Sequence, residues 1–307
     1  MKTLKDFSFK GKRALIRVDF NVPLNTTKEV TDATRIEAAL PTISYILRQG
    51  GSVVLMSHLG RPSGGYEADY SLSHIVSTLS GLLGKAVEFA GDCIGEQSYS
   101  VTNNLGEGKV VLLENLRFHN EEKKGDSAFA EKLSKHGDIY INDAFGTAHR
   151  AHASTAIIAS FFEGNSCFGL LMQKELESVR KVMQNSAKPF TAIIGGAKVS
   201  SKISIIQNLM DKLDNLIIGG GMSYTFVKAM GGRVGDSLVE DKYLEEAKAI
   251  LNIAEDKGVR ILIPEDSIIA DAFDNNANRK TVDSSEIPDG WMGLDIGANA
   301  IEHYTKC

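Results

Sequence analysis

The first half of the chain repeats one hydrophobic pattern four times, and each repeat ends in a polar loop. Short apolar runs occupy residues 14–18, 53–56, 110–113 and 139–141. The second and third runs do not alternate apolar with polar positions, which is typical of strands that are buried on both faces of a parallel sheet. We therefore predict four strands of one parallel sheet in this half.

Helical patterns separate these strands. Residues 33–49 have apolar side chains three and four places apart, and Thr31 or Asp32 is positioned to cap that helix. Similar spacing predicts helices over residues 71–83 and 127–136. This alternation of strands with helices indicates the α/β class.

The second half begins with one amphipathic helix and then returns to the same alternation. Residues 169–184 have helical spacing of apolar positions, and this helix is predicted to connect two α/β domains. Further strands and helices are predicted over residues 191–194, 200–213, 216–218, 222–230, 241–257 and 260–264. The predicted domains are therefore residues 1–168 and 186–307, with a connecting helix or hinge over 169–185.

Composition and charge narrow the classes of function. The 307 residues carry a formal net charge of −5, which disfavours binding to nucleic acid or to an anionic membrane. No apolar stretch is long enough to span a bilayer, and the amino terminus has no apolar signal core. Three widely spaced cysteines argue against a disulfide framework and against a cysteine-based zinc site. We expect a cytoplasmic protein with reduced thiols.

The loops that end the four strands of the first half carry arginine and histidine in an otherwise acidic protein. If these strands are parallel, their carboxyl ends share the edge at which open α/β folds bind ligands. Arginine suits phosphate there, because a guanidinium forms paired, charge-assisted hydrogen bonds with phosphate oxygens. The pattern predicts a cationic pocket for a small polyanion such as a phosphorylated metabolite.

Glycine follows two predicted strands of the second half, at residues 195–196 and 219–221. Glycine lets a backbone approach a ligand closely, and the N-terminus of a helix favours phosphate. Neither run completes a P-loop or a dinucleotide fingerprint, so each is either a nucleotide contact or a tight strand-to-helix turn. Lys198 and Lys202 favour the first reading, because cations at the start of a helix oppose its dipole unless an anion offsets them.

Five segments of the chain, in the order in which they occur, resemble motifs of the phosphoglycerate kinases. The matching segments are VDFNVP (18–23), SHLGRP (57–62), ENLRF (114–118), NDAFGTAHRAH (142–152) and GGAKV (195–199). The resemblance implies two doubly wound, parallel-sheet (Rossmann-like) domains joined by a connecting helix. It implies that the first binds 3-phosphoglycerate or 1,3-bisphosphoglycerate and the second binds ADP or ATP with Mg²⁺. The implied reaction is reversible phosphoryl transfer from 1,3-bisphosphoglycerate to ADP, a step of glycolysis.

The resemblance assigns residues of the first domain to the phosphoglycerate. Asp19 and Asn21 are expected at the hydroxyl and carboxylate of the glycerate, and Arg35 is expected to be catalytic, at the transferring phosphoryl group. The other expected substrate contacts are His58, Leu59, Gly60, Arg61, Arg117 and Arg150. His149 and His152 either support this pocket or are structural, and metal binding by them is not favoured.

The same resemblance assigns Lys198 as the second catalytic residue, a cation that stabilises the phosphoryl group during transfer. The expected nucleotide contacts are Gly195, Gly196, Lys202, Gly220 and Gly293. No residue is assigned to Mg²⁺, because the magnesium-binding aspartate of the family lies in a Gly-Gly-Asp motif that this chain lacks. The second domain is therefore predicted to be incomplete, and catalysis by this chain to be weak or absent.

Two other classes of protein compete with this interpretation. A non-catalytic module that binds phosphorylated metabolites would keep the basic pocket and transfer no phosphoryl group. A nicotinamide-dependent dehydrogenase would need the dinucleotide fingerprint, which the glycine runs do not complete. We expect small-molecule substrates, no nucleic-acid or membrane partner, and a monomer.

Overall fold

A computed structural model of the protein describes residues 2–184 and 187–306. The chain divides into two compact units, Met1–Val179 and Arg180–Cys307. Residues 185 and 186, where the sequence predicts the boundary between the connecting helix and the second domain, lie outside the described residues. The same holds for Met1 and Cys307.

A parallel sheet of six strands forms the centre of the first unit. The strands are β1 (Arg13–Arg17), β2 (Ser52–Met56), β3 (Val87–Ala90), β4 (Val110–Leu113), β5 (Ile139–Asn142) and β6 (Ser166–Phe168). Their order is β3-β4-β2-β1-β5-β6, and every neighbouring pair is parallel. The four strands predicted from the sequence are the inner four, so the prediction of one shared carboxyl edge is confirmed. The two edge strands were not predicted.

Both faces of this sheet are covered by apolar side chains. Successive residues of β1 point to opposite faces, so Ala14 and Ile16 lie in one buried cluster and Leu15 lies in the other. The helices of the unit are α1 (Thr34–Arg48), α2 (Val76–Leu83), α3 (Glu96–Asn103), α4 (Asn120–Lys124) and α5 (Ser127–Ser134). Burial on both faces explains why the apolar runs of the inner strands do not alternate.

Two predicted helix starts differ from the structure. The N-cap of α1 is Ala33, so the prediction of Thr31 or Asp32 at that place is wrong, although the Asp32 carboxylate accepts a hydrogen bond from the Thr34 N–H at 2.9 Å. The predicted helix over 71–83 begins instead with a 3-10 turn at Leu72–Ile75. Asp32 thus satisfies a free amide at the start of the helix from one position before the N-cap. The sequence indicated the capping side chain correctly but not its position relative to the helix.

Helix α6 (Leu170–Gln184) leads from the first unit into the second, as predicted. Its first turn is fixed by side chains of the first unit. The Leu170 N–H donates to Thr42 Oγ1 at 2.9 Å, and the Met172 N–H donates to Asp143 Oδ1 at 3.1 Å. These bonds satisfy amides that have no partner within the helix.

The second unit combines three small sheets with four helices. Its strands are β7 (Thr191–Gly195), β8 (Asn215–Gly219), β9 (Arg233–Val234), β10 (Arg260–Leu262), β11 (Asp266–Ala270), β12 (Arg279–Asp283), β13 (Glu286–Ile287) and β14 (Met292–Ile296). Its helices are α7 (Ile203–Leu209), α8 (Met222–Ala229), α9 (Leu244–Asp256) and α10 (Ala298–Thr305). The three strands predicted from the alternation form a parallel sheet, whose order is β10-β8-β7.

The second unit also contains structure that the sequence did not predict. An antiparallel sheet has the order β12-β11-β14, and β13 pairs with β9. The helix predicted over 200–213 is shorter, because the backbone N–H and the hydroxyl of Ser200 both donate to the Glu240 carboxylate and hold that residue in a turn. No helix within residues 2–184 and 187–306 is both long enough and apolar enough to cross a membrane.

Candidate active site

A cavity of about 290 Å³ opens in the first unit at the carboxyl ends of the inner strands. The loops after β1, β2, β4 and β5 all contribute to its wall, together with the first turn of α1. The lining residues are Asp19, Asn21, Arg35, His58, Gly60, Arg61, Arg117, Gly146, Thr147 and Arg150. The four loops that the strand pattern predicts and the first turn of α1, five separate stretches of sequence, thus form one pocket.

Side-chain to backbone hydrogen bonds join three of these loops. Asn21 Oδ1 accepts from the Gly60 N–H at 2.7 Å, and Arg117 Nη1 donates to the Gly60 carbonyl at 2.8 Å. Leu59, which precedes this glycine, does not line the cavity, since its side chain is buried in the core. Polar groups of the two neighbouring loops therefore hold the loop after β2, and the buried side chain of Leu59 anchors that loop to the core.

The cavity carries positive charge that the protein does not neutralise. Arg35 pairs with Asp19, the one carboxylate in the wall, at 3.0 Å. Across the part of the chain that the structure describes, no carboxylate forms an ion pair with Arg61, Arg117 or Arg150. Burial lowers the pKa of Arg117, and the charge of Arg150 lowers it further. Like charges held this close indicate a place for an anion.

His58 is neutral in this environment. Burial, together with the charges of Arg17 and Arg117, lowers the pKa of His58 to about 2. Its Nδ1 atom lies 3.2 Å from Nη2 of Arg17, and a guanidinium can only donate. The neutral ring therefore accepts at Nδ1 and carries its proton on Nε2. His58 can offer one N–H donor to a ligand without adding a charge.

Arg17 is held by a buried chain of polar groups. Its side chain is 1% exposed, and its Nε donates to Ser154 Oγ at 2.9 Å. The Ser154 hydroxyl in turn donates to Glu122 Oε1 at 2.6 Å. His152 lies beside the same carboxylate, with Nδ1 3.8 Å from Oε1, whereas His149 is exposed. His152 thus belongs to the support of the pocket, and neither histidine lines the cavity.

In the second unit, the glycines that follow β7 and β8 lie against each other. Gly195 and Gly219 are register partners at the ends of these strands. Gly220 has a φ of +67°, and a Cβ atom there would lie 2.9 Å from the backbone nitrogen of Gly196. The Met222 N–H donates to the Gly196 carbonyl at 2.8 Å. Two strand ends can approach this closely only because neither carries a side chain.

Lys198 and Lys202 follow these glycines. Lys198 is exposed and lowers the pKa of Glu240, though less than the hydrogen bonds from Ser200 do. Lys202 is half-buried and immediately precedes α7. Neither lysine forms an ion pair with a carboxylate among the described residues. Both cations are free to meet an anionic ligand.

Gly293 lies apart from the other glycines, in β14. Its N–H donates to Ser237 Oγ at 2.9 Å. A Cβ atom at this position would lie 2.1 Å from Cζ of Tyr224. Packing against the tyrosine ring is therefore sufficient reason for glycine here.

Comparison with known proteins decides the family. A sequence profile described as phosphoglycerate kinase matches residues 4–307. This chain belongs to the phosphoglycerate kinase family. It is 48% identical over 328 residues to the phosphoglycerate kinase of Porphyromonas gingivalis, covering 99% of this chain and 78% of that protein. It is 51% identical over 302 residues to the cytosolic phosphoglycerate kinase of Nicotiana tabacum, covering 98% of this chain and 75% of that protein.

A solved structure agrees with these sequence relatives. The phosphoglycerate kinase of Coxiella burnetii has a TM-score of 0.82 and 35% sequence identity to this chain. The match covers 99% of this chain and 76% of that one. The prediction of the family and of two α/β domains is confirmed.

Motifs of the phosphoglycerate kinases predicted most of the cavity wall in advance. Gly146 and Thr147 also line the cavity. Both lie in the motif over residues 142–152, but the resemblance assigned a role to neither. Arg17 was missed altogether. One signal pointed to it, because a charged residue inside an otherwise apolar, two-face buried strand must find a buried partner.

Proposed function

We propose that this chain catalyses reversible phosphoryl transfer from 1,3-bisphosphoglycerate to ADP, giving 3-phosphoglycerate and ATP. The observation that carries the proposal is the cavity of the first unit. Three arginines, Arg61, Arg117 and Arg150, form no ion pair with a carboxylate of the described residues and share its wall with one neutral histidine. Such a wall has affinity for a small molecule with more than one negative charge, and family membership supplies the identity of that molecule.

In this proposal the first unit holds the phosphoglycerate. The arginines bind its non-transferred phosphate through paired hydrogen bonds, while Asp19 and Asn21 contact the hydroxyl and carboxylate of the glycerate. The Nε2–H group of His58 donates a hydrogen bond to a ligand oxygen. Because the ring is neutral, this bond orients the ligand without adding to the repulsion among the arginines.

The glycine-lined strand ends of the second unit are proposed to hold the nucleotide. The positions fit such a ligand, because a Cβ atom at Gly219 would meet nothing within 4 Å and one at Gly196 would meet only Cε of Lys202, at 4.0 Å, so the backbone there is open to a ligand. Gly195, Gly196, Gly220 and Lys202 are assigned to this role, and Gly293 is assigned to it by motif alone. We assign no side chain to Mg²⁺, which nucleotide sites bind largely through phosphate oxygens and water.

The chemistry asks for positioning and charge compensation. Phosphoryl transfer develops negative charge on the equatorial oxygens, and we propose that Arg35 and Lys198 stabilise it. No general base is needed when ATP is formed, because the acceptor oxygen of ADP is already ionised. The proposal needs no covalent intermediate on the protein.

The proposal extends to the compartment, the oligomeric state and the partners of the protein. We propose a cytoplasmic monomer that acts on small molecules and binds neither nucleic acid nor membranes. The net charge of −5 supports the last two points, and the burial of the unpaired Cys93 and Cys167 is consistent with a reducing compartment. Light scattering after size exclusion would test the monomer.

Separate titrations with 3-phosphoglycerate and Mg-ADP test the assignment of the cavity. We expect Arg61→Ala to weaken 3-phosphoglycerate binding by roughly 10- to 100-fold, because it removes a charged hydrogen-bonding partner. Binding of Mg-ADP should not change. Arg48→Ala, an exposed arginine at the end of α1 outside the cavity, is the matched control and should affect neither ligand.

Equal weakening of both ligands by Arg61→Ala would contradict the division of labour between the two units. ATP formation in a coupled assay then tests catalysis itself. We expect Lys198→Ala to lower kcat far more than it changes 3-phosphoglycerate affinity. Binding of both ligands with no phosphoryl transfer by the parent chain would favour the non-catalytic module.

A further inference from the structure

Two neighbouring loops of the first unit bring together an aspartate, a cysteine and a histidine outside the cavity. Asp92 and Cys93 lie in the loop after β3, and His119 ends the loop after β4. One ligand atom from each lies within 4.8 Å of the other two. Across residues 2–184 and 187–306, no other group of three such side chains comes this close.

The three side chains are held in place by the fold. His119 Nε2 lies 2.7 Å from Asp92 Oδ1, and the same oxygen accepts from the Cys93 N–H at 2.6 Å. The His119 ring packs against the Phe129 ring, with centroids 5.2 Å apart. Cys93 is fully buried in the apolar cluster on that face of the sheet. A ligand would find these donors already oriented.

The spacing of the cysteines argues against a cysteine-based zinc site, but the fold brings one cysteine next to two other donors. We propose that Asp92, Cys93 and His119 form a site for a borderline-soft divalent cation such as Zn²⁺, with water as the fourth ligand. In a tetrahedral zinc site the ligand atoms lie about 3.5 Å apart, so shifts of about 1 Å complete the geometry. The mixture of nitrogen, sulfur and oxygen donors selects Zn²⁺ or Co²⁺ over Mg²⁺, which requires oxygen ligands.

The charge balance of the site supports a dication. Metal binding would convert the Cys93 thiol to a thiolate, because a coordinating thiol loses its proton. The proton passes to solvent, and the thiolate and the aspartate carboxylate together neutralise Zn²⁺. The site therefore buries no net charge when it is filled.

The position of the site suggests what the metal would do. It would join the loop after β3, an edge strand, to the loop after β4, which also carries Arg117 of the cavity. A metal bound only by the folded state stabilises that state by mass action. Zn²⁺ is thus expected to stabilise the first unit, independently of any Mg²⁺ that accompanies the nucleotide.

Cobalt titration of the full chain tests the site through its sulfur ligand. The experiment uses a Cys307→Ser background, so that Cys93 and Cys167 are the remaining thiols. We expect one equivalent of Co²⁺ to produce a near-ultraviolet sulfur-to-cobalt charge-transfer band, and Zn²⁺ to displace it. Excess Mg²⁺ should neither produce nor displace the band.

Matched variants decide which residues hold the cation. Cys93→Ser should abolish the band, whereas Cys167→Ser, which changes the other buried thiol, should keep it. His119→Gln should weaken Zn²⁺ binding by more than about 100-fold, beyond the 10- to 100-fold typical of groups that only support a ligand. The side chain of His119 is partly exposed, so this variant keeps the test valid if Cys93→Ser does not fold. A parent chain without the band, or a band that survives Cys93→Ser, overturns the proposal.

Discussion

The cavity of the first unit and the glycine-lined strand ends of the second unit are built for anions in opposite ways. In the first unit, Arg17, His58 and Arg117 are buried, and hydrogen bonds fix their orientation before any ligand arrives. In the second unit, the backbone at Gly196 and Gly219 is bare, with no heavy atom closer than 4.0 Å to an added Cβ atom, and the nearby lysines form no ion pair within the described part of the chain. The first region offers prepared charge, meaning cations that are oriented before any ligand binds. The second offers bare backbone, meaning glycine backbone that no side chain covers.

This difference predicts where binding and stability are coupled. Prepared charge in a low-dielectric setting stores repulsion, which the fold must offset with hydrogen bonds to each guanidinium. A change to those supports should therefore harm the fold and the ligand affinity together. Bare backbone with exposed lysines stores no such repulsion, so a change to a lysine should harm ligand affinity alone.

Replacing the buried arginine should break this contrast most strongly. Arg17→Met removes the cation that reaches the buried Glu122 carboxylate through the Ser154 hydroxyl, and it removes the donor that orients His58. We expect the free energy of unfolding of the first unit to fall by about 3–5 kcal/mol. Affinity for 3-phosphoglycerate should fall as well. Denaturant unfolding followed by hydrogen exchange of first-unit peptides measures the loss.

Lys202→Met is the matched change in the second unit. It also converts a cation to methionine, but at a half-buried position without an ion pair among the described residues. We expect its effect on stability to be within about 0.5 kcal/mol while Mg-ADP affinity falls. If both variants lose similar stability, the contrast between prepared charge and bare backbone is wrong.

A fall in pH should destabilise the first unit more than the second, although by less than Arg17→Met does. Burial lowers the pKa of His58 to about 2 and that of His136 to about 4, whereas an unfolded histidine titrates near 6.5. Below pH ~6.5 the unfolded chain binds protons that the folded first unit does not. This contribution to stability is therefore complete above that pH and is lost as the pH falls through it.

We expect each of these two histidines to remove about 1–2 kcal/mol from the first unit between pH 7 and pH 5. The second unit contains a single histidine, His303, which is partly exposed, and should lose less. Trp291, the only tryptophan, reports unfolding of the second unit by fluorescence. His58→Asn should remove one proton from the pH dependence. An identical pH dependence in both units would exclude this explanation.

Glycine substitutions give the finest comparison. Gly220→Ala places a side chain at a φ of +67° and against the backbone of Gly196, so we expect a loss of about 1–2 kcal/mol in stability and weaker Mg-ADP binding. Gly146→Ala lines the cavity instead, and its Cβ atom would lie 3.2 Å from a carboxylate oxygen of Asp19, which can move. It should cost little stability and weaken only 3-phosphoglycerate binding. Calorimetric titration of both variants with both ligands measures the pattern, and crossed effects would contradict it.

The inner strands could be predicted from the sequence because each is an apolar run that ends in a conspicuous loop. The edge strands could not, because β3 contains a glutamate and β6 has only three residues. The antiparallel strand β12 could not be predicted either, since its side chains are largely exposed and its pairing depends on β11. Local pattern identifies strands that are buried on both faces and misses strands that only their neighbours define.

The same limit applies to the candidate site. Residues that line the cavity, such as Arg61 and Arg117, could be predicted because their motifs carry the chemistry. Residues that act through others could not, because Ser154 and Glu122 lie far from Arg17 in sequence and meet it only in the fold. Lys198 and Lys202 were predicted at the start of a helix, whereas the helix itself begins at Ile203.

The central place of β1 in the sheet has a consequence for the synthesis of the protein. β1 precedes both of its partners in the chain, and it pairs with β2 on one edge and with β5 on the other. β5 begins at Ile139, roughly 120 residues after β1 ends, which corresponds to on the order of 10 s of elongation at the ribosome. During that interval one edge of a buried strand has no partner and can pair with another chain. The strand that supports the cavity is thus also the one that the nascent polypeptide must shield for longest.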